Sequence, residues 1–454
     1  MQLGLLTEEP AGFADANAIL TAVDSALAIG FSRLTEDLRG GLEQIADAFA
    51  PTPLGPALRD GLERLSRSEF PAQAFVALAA ARGALTGAMH DALADQAQAA
   101  LGYILSQQPE PLAAPAGEYA NLLAACQQWL GELAVTGFRN VEEAQLGPFS
   151  ATLERLQTAS GEASDGLSPA LAGLAALLTG FADELAREAQ KIERENLFAR
   201  RFGDLWAHAM IVAQNPLQPP PFATIDGVLH PCGVDRRGHH AFVNATLYGL
   251  LVADDAPETA RMVRLSFASW KVSVLTGEDE WRLFGAISER VLEALQTGAS
   301  LRLEGAELAA NGDLRLTRAP DLGEPAAPLD LPQPWRGFAA IPAARRHPIH
   351  FMQLVRLDEV SVSGGEVGSG SVRLALAEGR GDAFDWDEKA LSQARDMIGL
   401  LRYDAGRFAL QPLLIDIKGK GHIRAGQSLK ARLSKSKNDA LDILKERASR
   451  LLRQ

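Results

Sequence analysis

The stretch Leu413–Lys418 (LLIDIK) closes an apolar run with an acid and a base two residues apart. A carboxylate is a ligand that a divalent ion accepts, and a lysine beside it is a cation that could act on water. Asp416 and Lys418 are such a pair, and Asp404, Asp387 and Glu388 are further acids in the same region. The plainer reading is strand alternation, with Leu413, Ile415 and Ile417 turned inward and Asp416 and Lys418 outward. That reading is favoured, and no cofactor is expected with it.

His230, Cys232 and His239, with Asp235 and His240 close by, are ligand types that zinc accepts. Their spacing matches neither C-x-x-C nor H-x-x-x-H, and Gly233, Arg236, Arg237 and Gly238 point to an exposed hairpin loop. Gly364–Ser371 (GGEVGSGS) has no following lysine and runs into a strand, so it reads as a hairpin loop, not a phosphate cradle. His208, beside Trp206, reads as a packed interface residue.

Charge is distributed unevenly. The net charge is −13, yet Lys418–Gln454 holds 11 Lys/Arg against 3 Asp/Glu, a net +8 that leaves −21 for the rest. Lys430, Arg432, Lys435, Lys437, Lys445, Arg447 and Arg450 make this tail basic, while Leu441, Leu444, Ala448 and Leu451 give it an apolar stripe. Such a tail could bind nucleic-acid phosphates without sequence preference. It has no aromatic residue for stacking, and a helix that only binds phosphates needs no apolar stripe, so docking on an acidic protein surface is favoured. Arg345-Arg346-His347, near Trp335, is the other basic feature.

These residues are placed by two architectures in series. Apolar residues at steps of three and four predict helices over Phe13–Ala50 (two, broken at Gly30 and Ser32), Leu54–Leu65, from Pro71, from His90-Asp91, over Tyr119–Leu133 and over Phe149–Leu156. Ser168–Asn215 reads as one long helix, or two in line, with Leu171, Leu174, Leu178, Phe181, Leu185 and Ile192 on one face; Pro216–Pro221 ends it. Alternation then takes over: Ala241–Val252, and Val263–Val274 with a bulge at Ala268-Ser269. A helix over Phe284–Leu295 and a hairpin turning at Asn311-Gly312 follow. Five prolines in 320–334 form a stiff linker or surface strap. Beyond them come strands at 353–357, 360–362 and 372–376, a helix over Leu391–Leu401, and a hairpin around Ala405-Gly406.

The fold class expected is therefore multidomain α then α+β. An all-helical array or bundle (1–215) precedes a barrel-like or α+β domain (222–318), a Pro-rich linker (319–335), an α+β domain (336–425) and a basic C-terminal helical tail (426–454). Two cysteines are too few for a disulfide framework and fit a reducing cytoplasm. The acidic N-terminus is not a secretory signal, and the apolar runs Phe70–Ala81 and Ser168–Ala182 fall short of the ~20 residues of a membrane span, so no membrane is expected.

The Leu413–Lys418 strand end resembles the core of PD-(D/E)xK nucleases over about 30 residues. The resemblance implies that Asp416 and the upstream Asp404 hold Mg²⁺ or Mn²⁺, that Lys418 positions or activates the attacking water, and that Asp387 or Glu388 is a helix-borne acid. The strand end departs from that pattern in having Asp where Glu is common and in placing Asp404 at a tight turn. Phe202–Gln214 (FGDLWAHAMIVAQ) and Asp404–Leu414 (DAGRFALQPLL) resemble bacterial accessory proteins from gene clusters of MoxR-type AAA ATPases, von Willebrand A proteins and SWIM zinc-finger proteins. This second resemblance implies a cytoplasmic scaffold or adaptor subunit of an ATPase-linked assembly, with other protein subunits as partners. A metal-dependent nuclease and a nucleic-acid-binding module are the alternatives.

Overall fold

The computed structural model describes residues 3–102, 117–162, 168–191, 198–214, 220–272, 275–333, 335–338, 341, 345–377 and 388–435. Before residue 215 the regular elements among these are helices: α1 (Phe13–Ile29), α2 (Glu36–Phe49), α3 (Gly55–Ser66), α4 (Ala72–Leu101), α5 (Ala120–Thr136), α6 (Glu143–Leu146), α7 (Ser150–Glu162), α8 (Ser168–Ala189) and α9 (Ala199–Gln214). Where the sequence suggested a new helix at His90-Asp91, α4 runs through unbroken and stops only at Gly102, which is left-handed. No proline or glycine interrupts 88–101, and the alanines there are strong helix formers. The first half of α4 packs in the helical core. Met89, Leu93 and Ala97 of its second half belong to another core, shared with strands.

Nor are α8 and α9 in line. Arg201 makes two hydrogen bonds, at 2.5 and 2.6 Å, to Glu184, so α9 turns back against α8. Each helix has its own apolar stripe, Leu171–Leu185 and Phe202–Ala213, and both stripes enter one core. Trp206 is fully buried there, and its indole N–H donates to the Leu130 carbonyl at 2.8 Å. Ile192 and Pro216 lie outside the described residues. By length and composition α8 could cross a membrane. In this fold Leu171, Leu174, Leu178, Phe181 and Leu185 are buried against other helices.

Strands β1 (Phe222–Gly238), β2 (Phe242–Ala253), β3 (Ala260–Trp270), β4 (Ala299–Ala309), β5 (Asp313–Arg315) and β6 (Asp321–Pro325) form the next sheet, with α10 (Gly285–Thr297) between β3 and β4. The pairings β1–β2–β3–β5–β4–β1 close a ring in which only β3 and β5 are parallel; β6 adds to β4. Strand order, parallel pair and helix position are those of the five-stranded OB barrel. Leu247, Leu265, Leu301 and Leu314 fill its interior, and Val291 and Leu295 of α10 plug it. The β4–β5 turn at Asn311-Gly312 is the hairpin expected, with Gly312 at φ 86°.

Two local expectations fail in this barrel. β2 and β3 pair without a register shift from Phe242↔Trp270 to Val252↔Ala260, so Ala268-Ser269 is not a bulge; Val274 lies outside the described residues. The irregularity sits in β1, between Pro231 and Gly233. Pro231 has no N–H for the ladder, so the strand bulges beside it. His230–Gly238 is therefore strand and not an exposed loop, with Cys232 and Asp235 buried.

The second sheet contains β7 (Met352–Leu357), β8 (Val360–Ser363), β9 (Glu366–Ser369), β10 (Val372–Leu376), β11 (Ala394–Asp404), β12 (Arg407–Ile417) and β13 (Gly421–Arg424), with α11 (Glu388–Ser392) before β11 and α12 (Leu429–Lys435) after β13. Two corrections follow. The glycine-rich segment 364–371 contains strand β9 between two tight turns. The helix expected over Leu391–Leu401 ends at Ser392, and Met397–Leu401 is strand. Those residues are buried on both sides, so the run is apolar throughout and mimics helical spacing.

The segment 216–221 marks the change of architecture, but a core crosses it. Leu20 of α1, Leu93 of α4, Tyr248 and Leu250 of the barrel, and Leu400 and Leu413 of the second sheet share one cluster. Residues 319–335 are a strap: β6 pairs with β4, Leu329 and Trp335 are buried, and Pro334 lies outside the described residues.

A candidate binding cleft between the helical layer and the barrel

The residues that suggested hydrolysis are not brought together. Asp404↔Arg407 and Asp396↔Asp416 pair at opposite ends of the β11–β12 hairpin. At about 3.3 Å per residue this puts Asp404 roughly 30 Å from Asp416. Asp416 pairs instead with Arg395 and His422, both at 3.6 Å. Lys418 is exposed, Glu388 opens α11, and Asp387 lies outside the described residues. The constellation Asp404, Asp416 and Lys418 is thus not a site: the hairpin that holds both acids also separates them.

His230, Cys232 and His239 are not gathered either, and the described residues contain no group of three or more His, Cys, Asp or Glu able to hold a metal. The His239 ring is already engaged: Nδ1 accepts from Ala241 N at 3.2 Å, and Nε2 lies 3.2 Å from the Ala176 carbonyl. Burial pushes the Cys232 thiol up to about 12, the Arg424 guanidinium opposing.

The start of the basic tail lies against acidic groups of the barrel. Lys430 pairs with Glu293 at 3.2 Å and Arg432 with Glu278 at 2.6 Å. Lys435 ends α12, while Lys437, Lys445, Arg447 and Arg450 lie outside the described residues.

The arrangement most able to do chemistry lies elsewhere. On the outer face of β1–β2–β3 the ladder aligns Asp235↔Thr246↔Ser266 and Arg237↔Asn244, with Tyr248↔Arg264↔Asp313 beside them. This is a polar face on an element whose other face fills an apolar barrel. α8 and α9 lie over it, and between the layers is a cleft of about 720 Å³. Leu174, Leu177 and Val212 form its helical wall. In OB barrels the β2–β3 face is where ligands bind, although fold alone does not give function.

No family model, curated protein or solved structure matches this chain.

Four arginines line the cleft: Arg237, Arg264, Arg315 and Arg345. Arg237 pairs with Asp235 at 3.1 Å, Arg264 with Asp313, and Arg315 lies 3.9 Å over the Phe222 ring. Asp235 is itself buried and is held from behind by Arg402 of β11 at 3.0 Å, which ties the barrel to the second sheet. Arg345 has no hydrogen-bond or ion-pair partner among the described residues. Arg345 is exposed to solvent; protein crowded around its guanidinium lowers its pKa, with the Asp313 charge opposing and the Arg264 charge adding. Its neighbours fix its position: Arg346 pairs with Asp91 of α4 and His347 with Asp204 of α9, each at 3.0 Å.

Two histidines share the space. His208 is pushed down to about 4, first by burial and then by the charges of Arg345 and His347. His350 is pushed down to about 3, again by burial first and then by His347 and His208. His350 is exposed and lines the cleft. At neutral pH both imidazoles are neutral.

From the sequence, Arg345 is only a basic feature and His208 only a packed residue, and Arg264, Ser266 and Asp313 do not stand out. Polar residues at alternate positions, Asn244 and Thr246 on β2 and Arg264 and Ser266 on β3, were the available signal.

Proposed function

We propose that this protein binds a small organic molecule in the interlayer cleft without turning it over, as a scaffold or adaptor subunit of a bacterial cytoplasmic assembly. The observation that carries the reading is the polar outer face of β1–β3, retained where a helical layer packs over it. Asp235, Thr246 and Tyr248 of this face are buried while Arg237 and Ser266 stay exposed; polar groups taken out of water need partners, and a ligand can supply them. Binding rather than turnover is supported by the hydroxyls: Thr246 and Ser266 bond to each other at 3.1 Å, and no described histidine is bonded to either. The adaptor role is supported by an acidic body and by a basic tail whose first cations pair with acidic groups.

Gly173 provides the test. It lines the cleft, and a Cβ placed there meets nothing within 4 Å. Gly173→Trp should fill the cleft without disturbing the core. Fragments screened by ligand-observed NMR should give hits on the native protein that vanish in Gly173→Trp. No hits, or hits indifferent to the tryptophan, would remove the cleft from consideration.

A second reading puts single-stranded nucleic acid on the same face, favoured by the OB strand order. It predicts a steep loss of affinity with salt. The helical wall formed by Leu174, Leu177 and Val212 favours the compact ligand, because it narrows the face to a cleft.

A further inference from the structure

We infer that the ligand is a phosphomonoester of an apolar organic body, with its phosphate anchored by Arg345; the inference rests on the cleft reading above. Charge comes first. Arg237, Arg264, Arg315 and Arg345 bring four positive charges to the lining, and Asp235 and Asp313 return two negative ones. His208 and His350 are neutral there. Two positive charges are left over for a ligand at the open side of the cleft, where Arg237, Arg315 and Arg345 are exposed.

A monocarboxylate would answer one of those charges. A phosphomonoester, with a charge of about −1.5 to −2 at neutral pH, answers both. Arg345 is the anchor because the other three are occupied, two by carboxylates and one by the Phe222 ring. A guanidinium offers a planar fork that fits a phosphate through two parallel hydrogen bonds.

The neutral donors agree. Thr246 Oγ1 donates to Asn244 Oδ1 at 3.2 Å, and the Asn244 NH₂ group has no acceptor among the described residues. In the dianion the remaining phosphate oxygens only accept hydrogen bonds, so an amide NH₂ suits them. Across the cleft, Leu174, Leu177 and Val212 offer an apolar wall for the organic body. The volume of about 720 Å³ leaves room for a body larger than a phosphate alone.

A matched series tests the inference on the full chain: phenyl phosphate, benzoate and phenol, titrated by calorimetry and NMR at fixed ionic strength. Phenyl phosphate should bind at least about tenfold more tightly than benzoate, and Arg345→Gln should weaken it by about tenfold to a hundredfold. Phenol binding should be unchanged by Arg345→Gln and abolished by Gly173→Trp. Arg407→Gln, at an exposed hairpin position that does not line the cleft, should change nothing. Arg345→Lys keeps the charge without the fork and should recover part of the loss.

Equal affinity for benzoate and phenyl phosphate, or phenyl phosphate binding untouched by Arg345→Gln, overturns the ligand class. If phenol still binds in a manner blocked by Gly173→Trp, the cleft reading survives that result. If none of the three compounds binds, both fall. A short oligothymidylate that binds more tightly than phenyl phosphate and depends on Arg345 overturns the small-molecule assignment in favour of nucleic acid.

Discussion

Arg82 offers the sharpest test of how the helical half holds its shape. It lies in α4 with its side chain 1% exposed, and its guanidinium reaches Asp24 of α1 and Asp204 of α9, each at 2.8 Å. Arg200 completes the Asp24 carboxylate at 2.7 Å, and His347 reaches Asp204 at 3.0 Å. Arg82→Met keeps much of the volume and removes the charge. Two carboxylates then lose their main counter-ion, one of them buried. Removing one partner of a buried pair costs about 3–5 kcal/mol. Arg200 and His347 remain, so the lower end, about 3 kcal/mol, is expected.

The sign with pH is also fixed. Burial already raises the Asp24 pKa in the native protein, Arg82 and Arg200 opposing; without the Arg82 guanidinium it rises further, so the folded variant takes up a proton more readily than the native fold does. The deficit should therefore shrink between pH 7 and pH 5. Urea denaturation followed by tryptophan fluorescence reads this directly, because Trp206 lies close to Asp204 on α9. Adding Asp24→Leu should restore part of the loss, as the exposed cost is that of an unpaired buried charge. A loss under about 1 kcal/mol, or one equal at both pH values, would refute the account.

Three further outcomes are expected. In Gly203→Ala the new Cβ would sit 2.1 Å from Asp24 Oδ1 and 2.9 Å from an Arg82 nitrogen. The variant should lose about 1–2 kcal/mol in the same denaturation assay despite better helix propensity. Burial pushes both the Cys126 and Cys232 thiols up to about 12, so Ellman's reagent should find no fast-reacting thiol in the native protein and two after unfolding. His208, held near 4 against an ordinary 6.5, stays neutral while the unfolded chain takes up a proton. Stability should therefore fall as pH drops from about 6.5 to about 4, by up to about 3 kcal/mol, and His208→Asn should flatten that slope in a pH-resolved melt.

Much of the fold was legible because it is local. Leu122, Cys126, Trp129 and Leu133 repeat at helical spacing, and that stripe is what α5 buries. Asn311-Gly312 dictates a turn whatever surrounds it. Where the reading failed, burial on both faces had erased the periodicity. Met397–Leu401 is apolar at every position except Gly399, so helix and strand patterns fit it equally. Asp404 and Asp416 read as partners because they are close in sequence, and a hairpin places them at opposite ends.

The sequence alone determined the order of architectures, helices first and strands after, together with the acidic body and basic tail, because composition and periodicity act over a few neighbouring residues. Tertiary structure alone decided that a core runs past residues 216–221, that the first sheet closes into a ring, and that Arg345, Arg264 and Asn244 line one cleft. Those three residues come from three segments up to 101 positions apart in the chain. Only strand pairing and the docking of α8 and α9 bring them together, and no local pattern encodes that meeting.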